Sequence, residues 1–428
     1  VSPQSGFTAE VYQNPYLAAG AETVDAVITV TAGEGGAAPA PAGTPSAAEA
    51  IMIDCSGSMG YPRSRMTEAI KATGVAVDTL RDGVLFAVIA GRSRAEQVYP
   101  SSGMVAASAD TRAAAKRAIG GLTPSGGTAM GSWLALANRL FAQVPAQVKH
   151  GIMLTDGRNQ HETPEALRQV LAECEGRFSC DCRGVGEDWA ANELRTIASA
   201  LLGSADGLEE PAELPAAFRA MTEQAMDKSV ADVKLRLWTP AGSTIRFVKQ
   251  VFPQVEELTG RRVAVSDRIG EYPTGAWGAE SRDYHVSVQV PPGTLGEERL
   301  AARVSLVSDD SVIAQSLVLA RWTEDDALST QINDRVAHYT GQAELAEVIQ
   351  QGLEAREAGD DATATAKLGR AVQLADESGH EQTAKLLRRV VDVEDAATGT
   401  VRLRRDASSL DAELTNVRST KTIRVKRS

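Results

Sequence analysis

Hydrophobic and polar positions change period several times along this chain, and each change predicts a different kind of structure. Phe7, Ala9 and Val11 alternate with polar residues, and so do Ala26, Ile28 and Val30. This predicts two strands within Phe7–Thr31. From Ala47 to about Lys228, short apolar runs alternate with helical spacing. Strands are expected at Ala50–Ile53, Val84–Ala90, Gln97–Tyr99, Gly151–Thr155, Ser179–Val185 and Ala205–Leu208. Between them, helices are expected from Met66 to Leu80 and over Ala109–Ile119, Ala129–Phe141, Pro164–Glu173, Trp189–Leu201 and Pro215–Met226. Such alternation implies an α/β doubly wound, Rossmann-like domain with helices on both faces of a parallel sheet.

From Ala231 to Trp322 the period returns to two: Val233, Leu235, Leu237, then Val286, Val288, Val290, then Ala302, Val304, Leu306. Turn signals at Pro240-Ala241-Gly242 and Pro291-Pro292-Gly293 separate the runs, so an antiparallel β unit is expected. Alone it is short of strands, and the two strands before Ala32 lack a sheet. One antiparallel β-sandwich, with the α/β domain inserted in or followed by it, accommodates both. The Gly/Ala/Pro-rich stretch 33–46 then serves as a flexible linker.

Glu344 to Asp395 reads as helical. Its stripes are Leu345/Val348/Ile349/Leu353, then Ala364/Leu368/Ala371/Val372/Ala375, then Ala384/Leu387/Val391. The first two resemble a tetratricopeptide (TPR-like) pair, too few repeats to stand alone, so they are expected to pack on a neighbour. The tail ends in two strand-like runs, Val401–Arg404 and Thr422–Val425. The expected organisation is 1–32 strands of the sandwich, 33–46 linker, 47–228 α/β domain, 229–324 sandwich, 325–397 three-helix segment and 398–428 basic strands.

Composition narrows the function. The chain has 428 residues and a net charge of −12, which argues against general nucleic-acid binding. Acidity is uneven, with eight Lys/Arg against three Asp/Glu from Thr400 to Ser428. That stretch suits an acidic partner or a charge-protected edge hairpin. No apolar run approaches a membrane span. Four cysteines in a chain this long are not a disulfide scaffold, so a cytoplasmic protein is the default expectation. Cys174, Cys180 and Cys182 cluster in sequence but lack a fourth soft ligand at zinc spacing. Their redox state stays open between buried thiols and a Cys174–Cys180 bridge.

Candidate chemistry sits where strands end. The run Ile51-Met52-Ile53 leads into Asp54-Cys55-Ser56-Gly57-Ser58, one carboxylate and two hydroxyls on one short loop. The strand Gly151–Thr155 ends in Asp156-Gly157, and Gly126-Gly127-Thr128 precedes a helix. In open α/β sheets the ligand crevice lies at the carboxyl ends of strands where strand order reverses. Asp54, Ser56, Ser58, Thr128 and Asp156 are therefore expected to converge as five oxygen groups around a hard divalent cation. Mg2+ is the expected ion, with Mn2+ and Ca2+ the alternatives. Three neutral hydroxyls leave such an ion electrophilic, and the helix start behind Thr128 is expected to favour an anionic partner as well. Met59, Tyr61, Arg158, Asn159 and His161 are expected on neighbouring loops, either as a partner-selecting rim or as ordinary loop residues.

Residues 47–228 resemble a von Willebrand factor type A (vWA) domain of bacterial type with a complete metal-ion-dependent adhesion site (MIDAS). The resemblance rests on Asp54-x-Ser56-x-Ser58, Thr128 after paired glycines, and Thr155-Asp156-Gly157, in that order. It implies direct coordination by Ser56, Ser58 and Thr128, with Asp54 and Asp156 acting directly or through water. Gly184–Asp188 resembles the strand end that follows in this family. The run from Tyr272 through Trp277-Gly278 to Tyr284 is similar to one in bacterial relatives with a β domain and a helical tail. Some of those are encoded beside serine/threonine kinases, phosphatases or forkhead-associated-domain proteins, which makes such proteins the partners implied by resemblance. The expected function is non-enzymatic: a metal-dependent module that binds an Asp or Glu carboxylate of a partner protein. The alternatives are a Mg2+-dependent phosphoryl-transfer enzyme using Asp54 as nucleophile, and a purely structural metal. Against catalysis, the chain lacks a Gly-Lys phosphate loop and a Gly-x-Ser-x-Gly elbow.

Overall fold

The computed structural model describes residues 6–33 and 47–424. The expected linker therefore lies outside the described residues, Gly33 apart, as does Val425 of the second tail run. The chain divides into two compact units, one comprising residues 47–231 and 406–417 and the other residues 6–33, 232–405 and 418–424.

In the first unit, strand Ala47–Asp54 is buried at every position. A near-continuous apolar run is what a central parallel strand with both faces covered requires. Across the sheet the order is Ala205–Leu208, Ser179–Val185, Val148–Thr155, Ala47–Asp54, Leu85–Gly91 and Glu96–Tyr99. The first five are parallel; Glu96–Tyr99 and the short Val105–Ala106 run antiparallel to Leu85–Gly91. The chain leaves Ala47–Asp54 to one side and later crosses to Val148–Thr155 on the other. Strand order thus reverses between the two strands that end in Asp54 and Thr155, as the sequence predicts.

The helices begin where local chemistry allows. Ser108 and Thr111 close a capping box on Ala109–Ile119. Thr163 caps Pro164–Cys174, which has proline at its first position. The helix expected from Trp189 begins instead at Ala191. Trp189 is wholly buried, donates Nε1–H to Gly186 O at 2.9 Å, and packs where Gly184 and Gly207 have no Cβ.

In the second unit, the N-terminal strands Phe7–Gln13 and Thr23–Ala32 join a five-stranded sheet. Its order is completed by Ser281–Gln289, Thr244–Phe252 and Glu256–Glu257. A six-stranded sheet runs Val263–Ser266, Ile269–Pro273, Lys234–Trp238, Glu298–Ser308, Ser311–Thr323 and Tyr16–Ala18. The short strand Tyr16–Ala18 is too brief to show a period in sequence. The Tyr272–Tyr284 run is core here: Tyr272, Trp277 and Tyr284 are buried, and the Arg282 guanidinium lies 4.2 Å from the Trp277 ring.

Helices Asp334–Glu357 and Asp361–Glu377 bury the two expected stripes. Gly352 lets them approach, since a Cβ there would meet Leu368 at 2.8 Å. The first helix docks through Tyr339, which contacts Val27 and Val251 and donates its hydroxyl to buried Asp283.

Two tail expectations need correction. The helix carrying Leu387 ends at Val390, and Val391–Asp395 is a strand paired with Thr400–Leu403. Val391 and Val393 alternate with Asp392 and Glu394, a period of two that outweighs the continued helical stripe. After Thr400–Leu403 the chain forms a helix, Ser409–Arg418, and Thr422–Arg424 carries no regular structure. Leu410, Leu414 and Val417 recur at helical spacing, and the last two are buried in the α/β core. Glu413 also accepts a bond from Ala191 N at 2.7 Å, supplying the cap that Ala190 lacks. Among the described residues, no helix is long and apolar enough to cross a membrane.

Candidate metal centre

Four of the five predicted residues form one hydrogen-bonded chain. Asp54 leaves the end of its strand wholly buried. Its Oδ1 accepts from Ser56 N at 2.7 Å, which closes the tight turn after the strand. The Ser56 and Ser58 hydroxyls lie 3.0 Å apart, and Ser58 Oγ donates to Asp156 Oδ1 at 2.7 Å. Ser56 and Asp156 are buried, whereas Ser58 is exposed, so the cluster opens to solvent on the Ser58 side.

Thr128 arrives from a third loop, held by backbone bonds. Gly57 N donates to Gly126 O at 2.9 Å and Ser125 N to Cys55 O at 2.7 Å. Gly157 marks where the hydroxyls meet: a Cβ there would lie 3.6 Å from both Ser58 Oγ and Thr128 Oγ1.

Burial sets the electrostatics. It pushes the Asp54 carboxyl up to about 6, opposed by bonds from Ser56 and Thr155 and reinforced by the Asp156 charge. Burial also raises Asp156, against the lowering effects of Ser58 and Arg65. Two buried carboxylates beside three neutral hydroxyls are a donor set that fits a hard dication.

Three participants are not singled out by the sequence reading. Thr155 donates its hydroxyl to Asp54 Oδ2 at 2.7 Å and accepts from Gly157 N at 3.1 Å. Its place directly before Asp156 is a signal that the Thr-Asp-Gly run carries. Arg65 donates Nη1–H to Asp156 Oδ2 at 2.9 Å, and nothing in its local sequence announces this. Ser93 accepts from Gly127 N at 2.8 Å and steadies the Thr128 loop.

The expected rim is only partly present. Tyr61 is exposed, but Met59 is wholly buried, because the short helical turn Gly57–Gly60 folds it inward. Asn159 and His161 are engaged structurally. Asn159 Oδ1 accepts from Met130 N at 2.8 Å, and His161 Nδ1 accepts from Thr128 N at 3.1 Å. Glu162 accepts from Gly131 N at 2.6 Å. The helix start behind Thr128 therefore offers those amides to side chains of residues 159–162, on the loop after Val148–Thr155, which corrects the expectation that it favours an anionic partner. A Cβ at Gly127 would overlap the His161 ring. Gly127→Ala should swing the histidine away and lower stability by about 1 kcal/mol, read by urea unfolding.

All four cysteines are free and buried. Burial pushes the Cys55 thiol up to about 12, the state of an inert core thiol. Among the described residues, no group of three or more His, Cys, Asp or Glu side chains could hold a metal ion.

Residues 50–206 match the model of the von Willebrand factor type A domain, and residues 373–419 match that of the von Willebrand factor type A C-terminal domain. A solved structure, a von Willebrand factor type A protein from Catenulispora acidiphila, is 51% identical with a TM-score of 0.92. The match covers 99% of this chain and 98% of that one. The ArnB paralog VWA2 from Sulfolobus acidocaldarius shares the fold, with a TM-score of 0.58 at 14% identity over 97% of this chain and 98% of that one. An uncharacterized protein of Synechocystis sp. is 28% identical over 215 residues, 49% of each chain. The matched region thus spans about half the length of that curated relative.

Proposed function

This chain belongs to the von Willebrand factor type A family, whose domains often mediate metal-dependent protein interactions, and on that premise we propose that it is a non-enzymatic capture module. Mg2+ held by Asp54, Ser56, Ser58, Thr128 and Asp156 would bind an acidic side chain of a partner protein. Mn2+ and Ca2+ are the alternative ions with the same preference for oxygen donors. The observation that supports this most is the Ser56–Ser58–Asp156 chain of hydroxyls and carboxylate, open to solvent at Ser58.

When bound, the ion supplies an electrophile for a carboxylate. The chain's own residues do the rest. Asp54 accepts bonds from Ser56 N and Thr155 Oγ1, fixing the loop before any ligand arrives. Ser58 stands on the solvent side, where an incoming group would approach. Preorganised oxygens of this kind lose little conformational freedom on binding. The same geometry argues against Asp54 as a phosphoryl-transfer nucleophile: both its oxygens are engaged, and its carboxylate is wholly buried.

The domain organisation belongs to the same reading: an α/β unit inserted into a β-sandwich, with the helical segment adding surface in a cytoplasmic, bacterial assembly. Kinases or forkhead-associated-domain proteins are the partner class to test first. Lysate from the native host should yield a partner on the immobilised protein in Mg2+ but not in EDTA. Ser58→Ala should reduce that capture at least about tenfold, while loss of its bond to Asp156 lowers stability by only about 1 kcal/mol and leaves the protein folded. Capture indifferent to both EDTA and Ser58→Ala would sink the proposal.

A further inference from the structure

The guanidinium of Arg65 is the cation that faces Asp156 among the described residues. It is 13% exposed and lies 2.9 Å from Asp156 Oδ2 and 3.4 Å from Asp188 Oδ2. Two elements place it there. Arg65 is in the first turn of helix Arg63–Thr79, and its guanidinium lies against Gly186 at the end of strand Ser179–Val185. Gly186 has φ +80°, and a Cβ on it would come within 2.9 Å of Arg65 Nη2. Thus the glycine satisfies the turn and also leaves room for the arginine.

The consequence is electrostatic. Asp54 and Asp156 together carry two negative charges, which a dication would neutralise. With Arg65 included, the buried groups sum to one negative charge, and the loaded site carries one net positive charge. Asp188 shares the guanidinium but is 68% exposed, so water screens most of its contribution. An uncompensated positive charge at a site open on one side is complementary to one carboxylate from outside.

We infer that Arg65 couples the two binding events at this centre, weakening the hold on a divalent cation alone and strengthening the hold on cation and carboxylate together. The inference rests on the metal-binding reading above. Arg65 acts as a positioning and charge-setting residue and needs no contact with the ion.

The test is calorimetric titration of the full chain with Mn2+, in chloride and then in acetate at equal ionic strength. Arg65→Met should bind Mn2+ alone about tenfold more tightly than wild type. Replacing chloride by acetate should tighten Mn2+ binding by wild type about threefold and by Arg65→Met hardly at all. Arg65→Gln, a second neutral variant, keeps the test open if Arg65→Met folds poorly, and Arg65→Lys should stay within about threefold of wild type. Neutral variants that fold as wild type and bind Mn2+ no more tightly would overturn the inference. An undiminished acetate effect in them would overturn the coupling. Absence of Mn2+ binding by wild type would instead remove the metal site itself, and this inference with it.

Discussion

His150→Ala should lower the stability of the α/β unit by about 3 kcal/mol at pH 7, one of the largest losses from any single change. His150 sits on strand Val148–Thr155 in direct register with Glu49 on the neighbouring strand. Its Nδ1 lies 2.9 Å from Glu49 Oε1, and its Nε2 lies 3.0 Å from Asp181 Oδ2 on the next strand. Glu49 is wholly buried and His150 nearly so. Burial acts against the imidazolium, but the flanking carboxylates win and push it up to about 10. Asp181 keeps bonds from Ser204 N and Oγ when the histidine is removed, whereas Glu49 loses its hydrogen-bond partner.

A stranded Glu49 would take up a proton, since burial already pushes it above the ordinary 4.5. Holding that proton at pH 7 costs about 3 kcal/mol, from about 1.4 kcal/mol per pH unit above 4.5. The penalty should therefore shrink as pH falls towards 4.5, where the unfolded glutamate also binds its proton. In wild type the sign runs the other way round the histidine. A raised imidazole stabilises fully below 6.5 and loses that contribution as pH rises through about 10. Urea unfolding of both proteins from pH 4.5 to 10 checks the two trends. A difference that does not vary with pH would mean that lost packing, not the buried charge, carries the effect. Replacing Glu49 and His150 together by leucines should recover most of the stability.

Asp54→Ala should abolish calorimetric Mg2+ and Mn2+ binding, with partner capture lost in parallel. The carboxylate holds Ser56 N and Thr155 Oγ1 as well as contributing charge. Its removal leaves the buried Ser56 amide unpaired, while Thr155 Oγ1 still has Gly157 O at 3.1 Å, so the cost is about 1–3 kcal/mol of stability. Asp54→Asn separates the effects. The amide oxygen can still accept one of the two bonds, but the charge is gone, so binding should fail while much of the stability returns. Equal metal binding by wild type and Asp54→Ala would remove Asp54 from the site. Loss of stability on metal removal, with capture intact, would favour a metal that only stiffens the loops.

The contrast between Asp54 and Arg65 explains how much of this is visible in sequence. Asp54, Ser56 and Ser58 sit on one loop after a run of apolar residues, so local spacing reports them. Asp156 and Thr128 are legible because strand ends and glycine-opened helices have local signatures. Arg65 reaches Asp156 across 91 positions, and its flanking residues read like any first helical turn. Met59 fails for the opposite reason: an apolar residue on a loop looks like rim, and only the turn at Gly57–Gly60 shows it facing inward. Net charge misleads over the tail. The basic excess after Thr400 draws attention from Leu410, Leu414 and Val417, whose helical spacing is plain once charge is set aside.

That last helix has a consequence for synthesis. Residues 47–231 carry every proposed metal-binding side chain, yet their core includes Leu414 and Val417. On the ribosome, residues 47–231 would emerge well before the segment that finishes their core, and residues 232–405 would be translated in between. Until then Gly207 lacks the Leu414 side chain that packs against it, and the backbone at Ala191 lacks its acceptor. A fragment cut at residue 231 would resemble this nascent state, and a co-expressed peptide spanning 406–418 is the natural complement for it.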